Sequence, residues 1–178
     1  MIEVEKKFRL TKRQRDAVLK RLAEVGAKLE GEDFEENTLY SGEPLNDGSC
    51  VLRLRRVGSK ATLTYKKRLP STSPIKHQRE EETGVANPEA MEAILESLGF
   101  TRVLVYEKRR QTWRLGKAEI VIDVLPFGLF MEIEGRASDI KAAERKLGLK
   151  GLRAEHATYP QLTRKHGKVY GGLIAARF

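Results

Sequence analysis

Polar and apolar side chains alternate along nearly every extended stretch of this chain, and the polar members are almost all charged. In IEVEKKFRL, Glu3, Glu5, Lys7 and Arg9 fall at one parity and Ile2, Val4 and Phe8 at the other. Arg53 and Arg55 oppose Leu52 and Leu54, and Thr62, Thr64 and Lys66 oppose Leu63 and Tyr65. Further on, Lys108, Arg110 and Thr112 oppose Val105 and Trp113, Glu119 and Asp123 oppose Ile120 and Ile122, and Glu132 and Glu134 oppose Met131 and Ile133. Successive side chains of a strand point to opposite faces, so each segment reads as a strand with one apolar and one charged face.

A sheet with one face in water alternates in the same way, and for any single strand that is the simpler reading. The pattern across strands says more. Acidic pairs occupy some strands and basic pairs others, with hardly a Ser, Asn or Gln between them. If the strands close on themselves with helices packed outside, the apolar faces meet the helices and the charged faces line a lumen. Charges withdrawn from water need partners or a ligand. Clustered carboxylates fit a hard divalent cation, and the planar fork of Arg fits phosphate oxygens, so the two sets together describe a site for a metal-bound polyphosphate.

The rest of the chain fits one domain spanning 1–178, with 40% hydrophobic residues to form its core. Thr11 and Gln14 make a capping box ahead of Val18, Leu22 and Val25, with Gly26 as the stop. A second helix opens at Asn87-Pro88 and stops at Gly99; a third runs from Ser138 to Leu147. Strands are expected at 34–40, 49–57, 61–67, 78–85, 101–115, 118–125 and 129–134, which with the opening strand makes about eight, enough to close into a barrel holding one small ligand. In QREEETGV the register puts Glu80 and Glu82 inward; a slip of one residue would substitute Arg79 and Glu81.

Several chemistries are disfavoured. Cys50 is the single cysteine, and His77, His156 and His166 show no metal-ligand spacing, so neither a disulfide nor a zinc site is expected. RVGSKAT lacks the glycine spacing of a Walker-A loop. No stretch reads as a signal peptide or a membrane span, so a cytoplasmic protein with no membrane partner is expected. The net charge of +9 favours an anionic partner, while RKHGK reads as solvated surface rather than a nucleic-acid site.

Glu3-x-Glu5-x-Lys7 resembles the ExExK signature of the CYTH domains, or triphosphate tunnel metalloenzymes, a family that includes class IV adenylyl cyclases, thiamine triphosphatases and inorganic triphosphatases. Arg53-x-Arg55, Lys66, the acidic strand REEE, Lys108 with Arg110, Asp123 and Glu132-x-Glu134 follow in the family's order, and the resemblance covers residues 1 to about 162. It implies an α+β fold, a closed eight-stranded antiparallel β-barrel forming a tunnel with helices packed outside. It further implies that Glu5, Glu132 and Glu134 bind Mg²⁺ or Mn²⁺, and that Lys7, Arg53, Arg55, Lys66 and Arg110 hold a triphosphate-containing small molecule. Glu80 and Glu82 belong to the same binding face. Glu3 and Asp123, with Lys108 close by, take the catalytic places, holding a second metal or orienting the attacking water. One departure stands out: where family members often carry a lysine before a Ser-Tyr pair, this chain has His156 and Ala157, and Arg153 or Lys165 is left to substitute.

Phosphoryl transfer needs charge neutralisation and in-line positioning more than a covalent nucleophile, so this set of residues suffices for it. Hydrolysis of inorganic triphosphate or of an organic triphosphate, such as thiamine triphosphate or a nucleotide, is the preferred expectation. Cyclisation of ATP to cyclic AMP and pyrophosphate is the alternative, because no aromatic or amide cluster is assignable to an adenine pocket. A non-catalytic polyphosphate or nucleic-acid binding module is the third, and the carboxylates argue against it. The protein is expected to be a monomer or homodimer.

Overall fold

The computed structural model describes residues 2–45, 49–68 and 76–178. The side chain of Glu3 and the turn-rich stretch at 69–74 lie outside the described residues. The strands are β1 (Ile2–Leu10), β2 (Lys28–Ser41), β3 (Cys50–Val57), β4 (Lys60–Arg68), β5 (Lys76–Val85), β6 (Thr101–Leu115), β7 (Ala118–Leu125), β8 (Gly128–Glu134), β9 (Lys168–Tyr170) and β10 (Leu173–Ala176). The helices are α1 (Lys12–Glu24), α2 (Pro88–Ser97), α3 (Ala137–Leu147) and α4 (Tyr159–His166). The architecture is α+β, built on a mostly antiparallel sheet.

The strands pair in the order β2-β3-β4-β5-β1-β8-β7-β6-β10-β9, and β6 pairs in addition with β2 along most of its length. Among the described residues, only β10 runs parallel to its neighbour, β6. The sequence-based count of eight omits β9 and β10. Each is too short to show a period, and they form because the chain turns back along β6 after α4.

The helices follow local chemistry. Thr11 accepts from the Gln14 amide while the Gln14 side chain accepts from the Thr11 amide, the expected capping box. Asn87 caps α2 through the Ala90 amide, and α3 ends at Gly148, whose φ of 67° suits a residue without Cβ. α4 was not expected, yet its start carries the same signature as α1: Thr158 and Gln161 form a capping box, with Pro160 in the first turn.

Packing divides the apolar side chains into three clusters. Phe8, Ile120, Ile122, Met131 and Ile133 meet Val18 and Leu22 of α1 and Ile140 and Ala143 of α3. On the β2–β4 side, Tyr40, Leu52, Leu54 and Ala61 meet Leu95 of α2. In the third, Leu39, Leu104, Tyr106, Leu125 and Phe130 share the parity of the charged residues, and Tyr159 and Leu162 of α4 with Ala176 of β10 cover them. The charged face is therefore apolar at one end, where α4 closes it off. No helix among the described residues is long and apolar enough to cross a membrane.

Candidate functional site

Strand register assembles the site. Glu5 stands opposite Glu134 and Lys7 opposite Glu132 across β1–β8, and Glu134 stands opposite Glu119 across β7–β8. Arg53, Thr64 and Glu82 form one row across β3–β4–β5, and Val51, Lys66 and Glu80 form the next. All of these side chains except Thr64 border a cavity of about 230 Å³ that Lys108, Arg110, Tyr106 and Tyr159 also line.

At one side of the cavity, Glu5, Glu132 and Glu134 bring carboxylate oxygens within 4.8 Å of one another. A set of three carboxylate oxygens suits a hard divalent cation and not a soft metal. Glu132 also accepts from Lys7 Nζ at 3.1 Å and from Arg110 Nη2 at 2.9 Å. Burial alone would raise its carboxyl, but Lys7, Arg110 and Lys108 outweigh burial and keep it ionised well below the usual carboxylate range. Burial works against the charge of Lys7 in turn, and Glu132 and Glu5 more than offset it.

Across from the carboxylates lie the cations. Arg53 is buried and donates to Thr64 Oγ1, which itself donates to Glu82 Oε2 at 2.9 Å. Lys66 pairs with Glu80 at 3.0 Å. Among the described residues, Arg53 Nε is buried with no hydrogen-bond acceptor, an arrangement that suits an anion arriving from the cavity, while Arg55 Nε, also without one, stands 3.4 Å from Glu35 Oε2. Arg79 and Glu81 point outward with side chains 66% and 58% exposed, so β5 adopts the register that turns Glu80 and Glu82 toward the cavity.

Behind this lining is a second row that the alternation did not expose. Asp123 is fully buried, accepts from Arg110 Nε at 2.7 Å and Nη2 at 2.6 Å, and takes the Tyr159 hydroxyl at 2.7 Å. Its oxygens hold Arg110 and Tyr159, and it does not border the cavity. Tyr159 lies beneath Lys7, whose Nζ is 4.0 Å from the ring centroid. Burial, and then Asp123, push the Tyr159 hydroxyl well above its usual pKa, so it remains a donor. Glu35 of β2, missed in the sequence, is 3% exposed and sits within 3.3 Å of Lys108 Nζ and 3.4 Å of Arg55 Nε.

Lys108 has one property open to direct test. Burial, then the neighbouring Arg110, lower its pKa from 10.5 to about 8, with Asp123 and Glu35 resisting the fall. A lysine that loses its proton near pH 8 leaves one cation fewer for an anionic ligand above that pH. Affinity of the free protein for tripolyphosphate should therefore fall roughly tenfold or more as pH rises through about 8, the value of one charge-assisted hydrogen bond. Lys108→Arg, charged throughout, should flatten that limb. A wild-type titration curve level to pH 10 would show that Lys108 does not govern binding.

Apart from Glu3, whose side chain lies outside the described residues, and Asp123, the sequence-predicted residues border one cavity, with two adjustments. Asp123 stands behind the cavity, and neither proposed substitute for the family's C-terminal lysine reaches it. Arg153 and Lys165 are exposed and do not border the cavity. At that place in the chain the Ala157 carbonyl accepts from Lys7 Nζ at 3.3 Å, which tethers Lys7 and supplies no cation. Arg9, at the same parity as Glu5 and Lys7, is exposed and donates to the Phe127 carbonyl outside the site.

The chain is similar in sequence and in fold to known proteins. The family model described as the CYTH domain matches residues 1–159. The Methanocaldococcus jannaschii protein named "Putative adenylate cyclase MJ0240" is 31% identical over 151 residues, which are 83% of this chain and 84% of that protein. The PH1012 protein of Pyrococcus horikoshii superposes with a TM-score of 0.79 at 26% identity, covering 90% of this chain and 98% of the other. A Hippeastrum protein called an adenylyl cyclase, in which triphosphatase activity is dominant, superposes with a TM-score of 0.71 at 18% identity, covering 96% and 98%.

Proposed function

Because this chain belongs to the CYTH domain family, we propose that it is a divalent-metal-dependent triphosphatase whose strands enclose a tunnel for the triphosphate of its substrate. The observation that carries this reading is the placement of three carboxylates, Glu5, Glu132 and Glu134, beside a cavity that Lys7, Arg53, Arg55, Lys66, Lys108 and Arg110 also line. Glu5, Glu132 and Glu134 would hold Mg²⁺ or Mn²⁺, which when bound neutralises charge on the phosphoryl oxygens. Lys7, Arg53, Arg55, Lys66, Lys108 and Arg110 would bind the phosphate chain and orient it for in-line attack. Lys7 spans both sets, because its partner Glu132 belongs to the carboxylate trio.

Hydrolysis is preferred over cyclisation on the chemistry of the lining. A cyclase must hold adenine, and base recognition calls for an aromatic face. The two tyrosines that border the cavity are already engaged. Tyr159 lies under Lys7 and gives its hydroxyl to Asp123, and Tyr106 packs against Tyr159 with ring centroids 6.1 Å apart. The cyclase reading is supported by the name of the Methanocaldococcus jannaschii relative.

Phosphorus-31 NMR of the protein with tripolyphosphate, thiamine triphosphate or ATP, each with Mg²⁺, Mn²⁺ or EDTA, separates the readings. Metal-dependent release of orthophosphate is the expected result. Cyclic AMP with pyrophosphate would make it a cyclase, and tight, salt-sensitive binding without turnover in any mixture would refute both.

A further inference from the structure

Glu35, like Asp123, is a carboxylate that stands behind the cavity, but it alone of the two reaches Arg55 among the described residues. It belongs to β2, it does not border the cavity, and it is 3% exposed. Its Oε2 lies 3.3 Å from Lys108 Nζ and 3.4 Å from Arg55 Nε, and its Oε1 lies 3.7 Å from Arg110 Nε. Asn37 Nδ2 donates to the same Oε2 at 3.3 Å. A single buried carboxylate thus faces three cations, and all three line the cavity on their other side.

We propose that Glu35 is an internal counterion that balances the phosphate-binding cations from behind, holding them in place in the free protein and setting the affinity of the cradle low enough for product anions to leave. The inference rests on the triphosphate reading of the cavity and adds to it a residue that fixes how tightly that cavity holds phosphate. Buried cations without a counter-charge are costly, so Arg55, Lys108 and Arg110 need a carboxylate when no ligand is present. Asp123 serves Arg110 and Lys108 but has no contact with Arg55 among the described residues. The same negative charge opposes an incoming polyanion, since Coulomb repulsion acts across the few ångströms that separate the two sides of the cation row. Burial tends to protonate Glu35, but Lys108, Arg110 and Arg55 outweigh it and hold the carboxyl at about 2, so the counter-charge is present throughout the working pH range.

The test is calorimetric titration of wild type, Glu35→Gln and Glu35→Asp with pyrophosphate and with tripolyphosphate in EDTA, combined with steady-state turnover of tripolyphosphate in Mg²⁺. Gln preserves shape and the contact with Asn37 while removing the charge. Glu35→Gln should bind both anions at least tenfold more tightly, with lower KM and lower kcat as product release slows. Its melting temperature should fall without anion and recover when pyrophosphate is added. Glu35→Asp, which keeps the charge but draws it back from the cations, should lie between the two; if the Gln variant does not fold, tighter binding by the Asp variant carries the test. Equal or weaker anion binding by a folded Glu35 variant would overturn the proposal while leaving the triphosphate reading intact. A wild-type protein that binds neither anion would overturn both.

Discussion

Glu134→Gln should lower metal-dependent turnover about a hundredfold or more while shifting the melting temperature by only a few degrees. Glu134 is half-buried at the end of β8 and faces Glu5 across the ladder, where two like charges repel unless a cation joins them. Replacing one carboxylate with an amide of the same shape relieves that repulsion and removes one anionic ligand. Metal assistance supplies several kcal/mol of transition-state charge stabilisation, and losing about 3 kcal/mol of it is roughly a hundredfold in rate. The measurement pairs initial rates over a Mg²⁺ titration with thermal unfolding. Loss of activity that more Mg²⁺ partly restores supports ligation; a matching loss of folded protein would mean that Glu134 is structural.

Arg110→Met should have the largest effect on the fold itself. The guanidinium contacts Asp123 through two nitrogens, Glu132 at 2.9 Å and Glu35 at 3.7 Å, in a site where none of the three carboxylates is appreciably exposed. Burial disfavours its charge, yet Asp123, Glu132 and Glu35 together raise its pKa well above the usual arginine value. Taking the cation away leaves buried carboxylates uncompensated, a change that costs about 3–5 kcal/mol. For a chain of this length that is a fall of roughly 10 °C in melting temperature. Denaturant melts should show the lost stability directly, and pH provides a control. Acidification protonates the orphaned carboxylates more readily in the variant, so its deficit should shrink as pH falls from 7 to 4. A variant as stable as wild type at pH 7 would show that Lys7 and Lys108 alone balance the cluster.

Both predictions concern residues visible in the sequence by parity, and the reason they were visible is instructive. In EIVIDV and FMEIEG every second residue is an aliphatic or sulfur-bearing side chain, so only one face can go toward a core and the charged face follows. β2 behaves differently. In FEENTLY, Phe34, Glu36, Thr38 and Tyr40 share one parity and Glu35, Asn37 and Leu39 the other, so both faces are mixed. Hydrophobicity does not choose between them, and in the structure Phe34 is 48% exposed while Glu35 is buried. Long-range pairing decides it: β2 is held by β3 on one side and β6 on the other, and Glu35 falls opposite Lys108.

The C-terminal segment was legible in part. Thr158, Pro160 and Gln161 carry a helix-start signature as clear as that of Thr11 and Gln14, but eight residues of helix bury only Tyr159, Leu162 and Thr163. Too little apolar periodicity is left to call attention to it. Its position over the apolar end of the charged face depends on β10 pairing with β6, seventy residues away in the chain.

The sequence by itself determined which strands carry charge on one face, where α1 and α2 begin, where α3 ends, and which carboxylates and cations share a surface. These follow from local rules, the two-residue repeat of a strand and the hydrogen-bond needs of a helix end, which act over a few residues. Only the tertiary structure decided that Glu35 faces the cations from behind, that Asp123 is committed to Arg110 and Tyr159, and that the Ala157 carbonyl meets Lys7. Each of those outcomes depends on contacts between residues far apart in the chain, where one strand's register and the ionisation of one buried group are set by partners that local pattern does not contain.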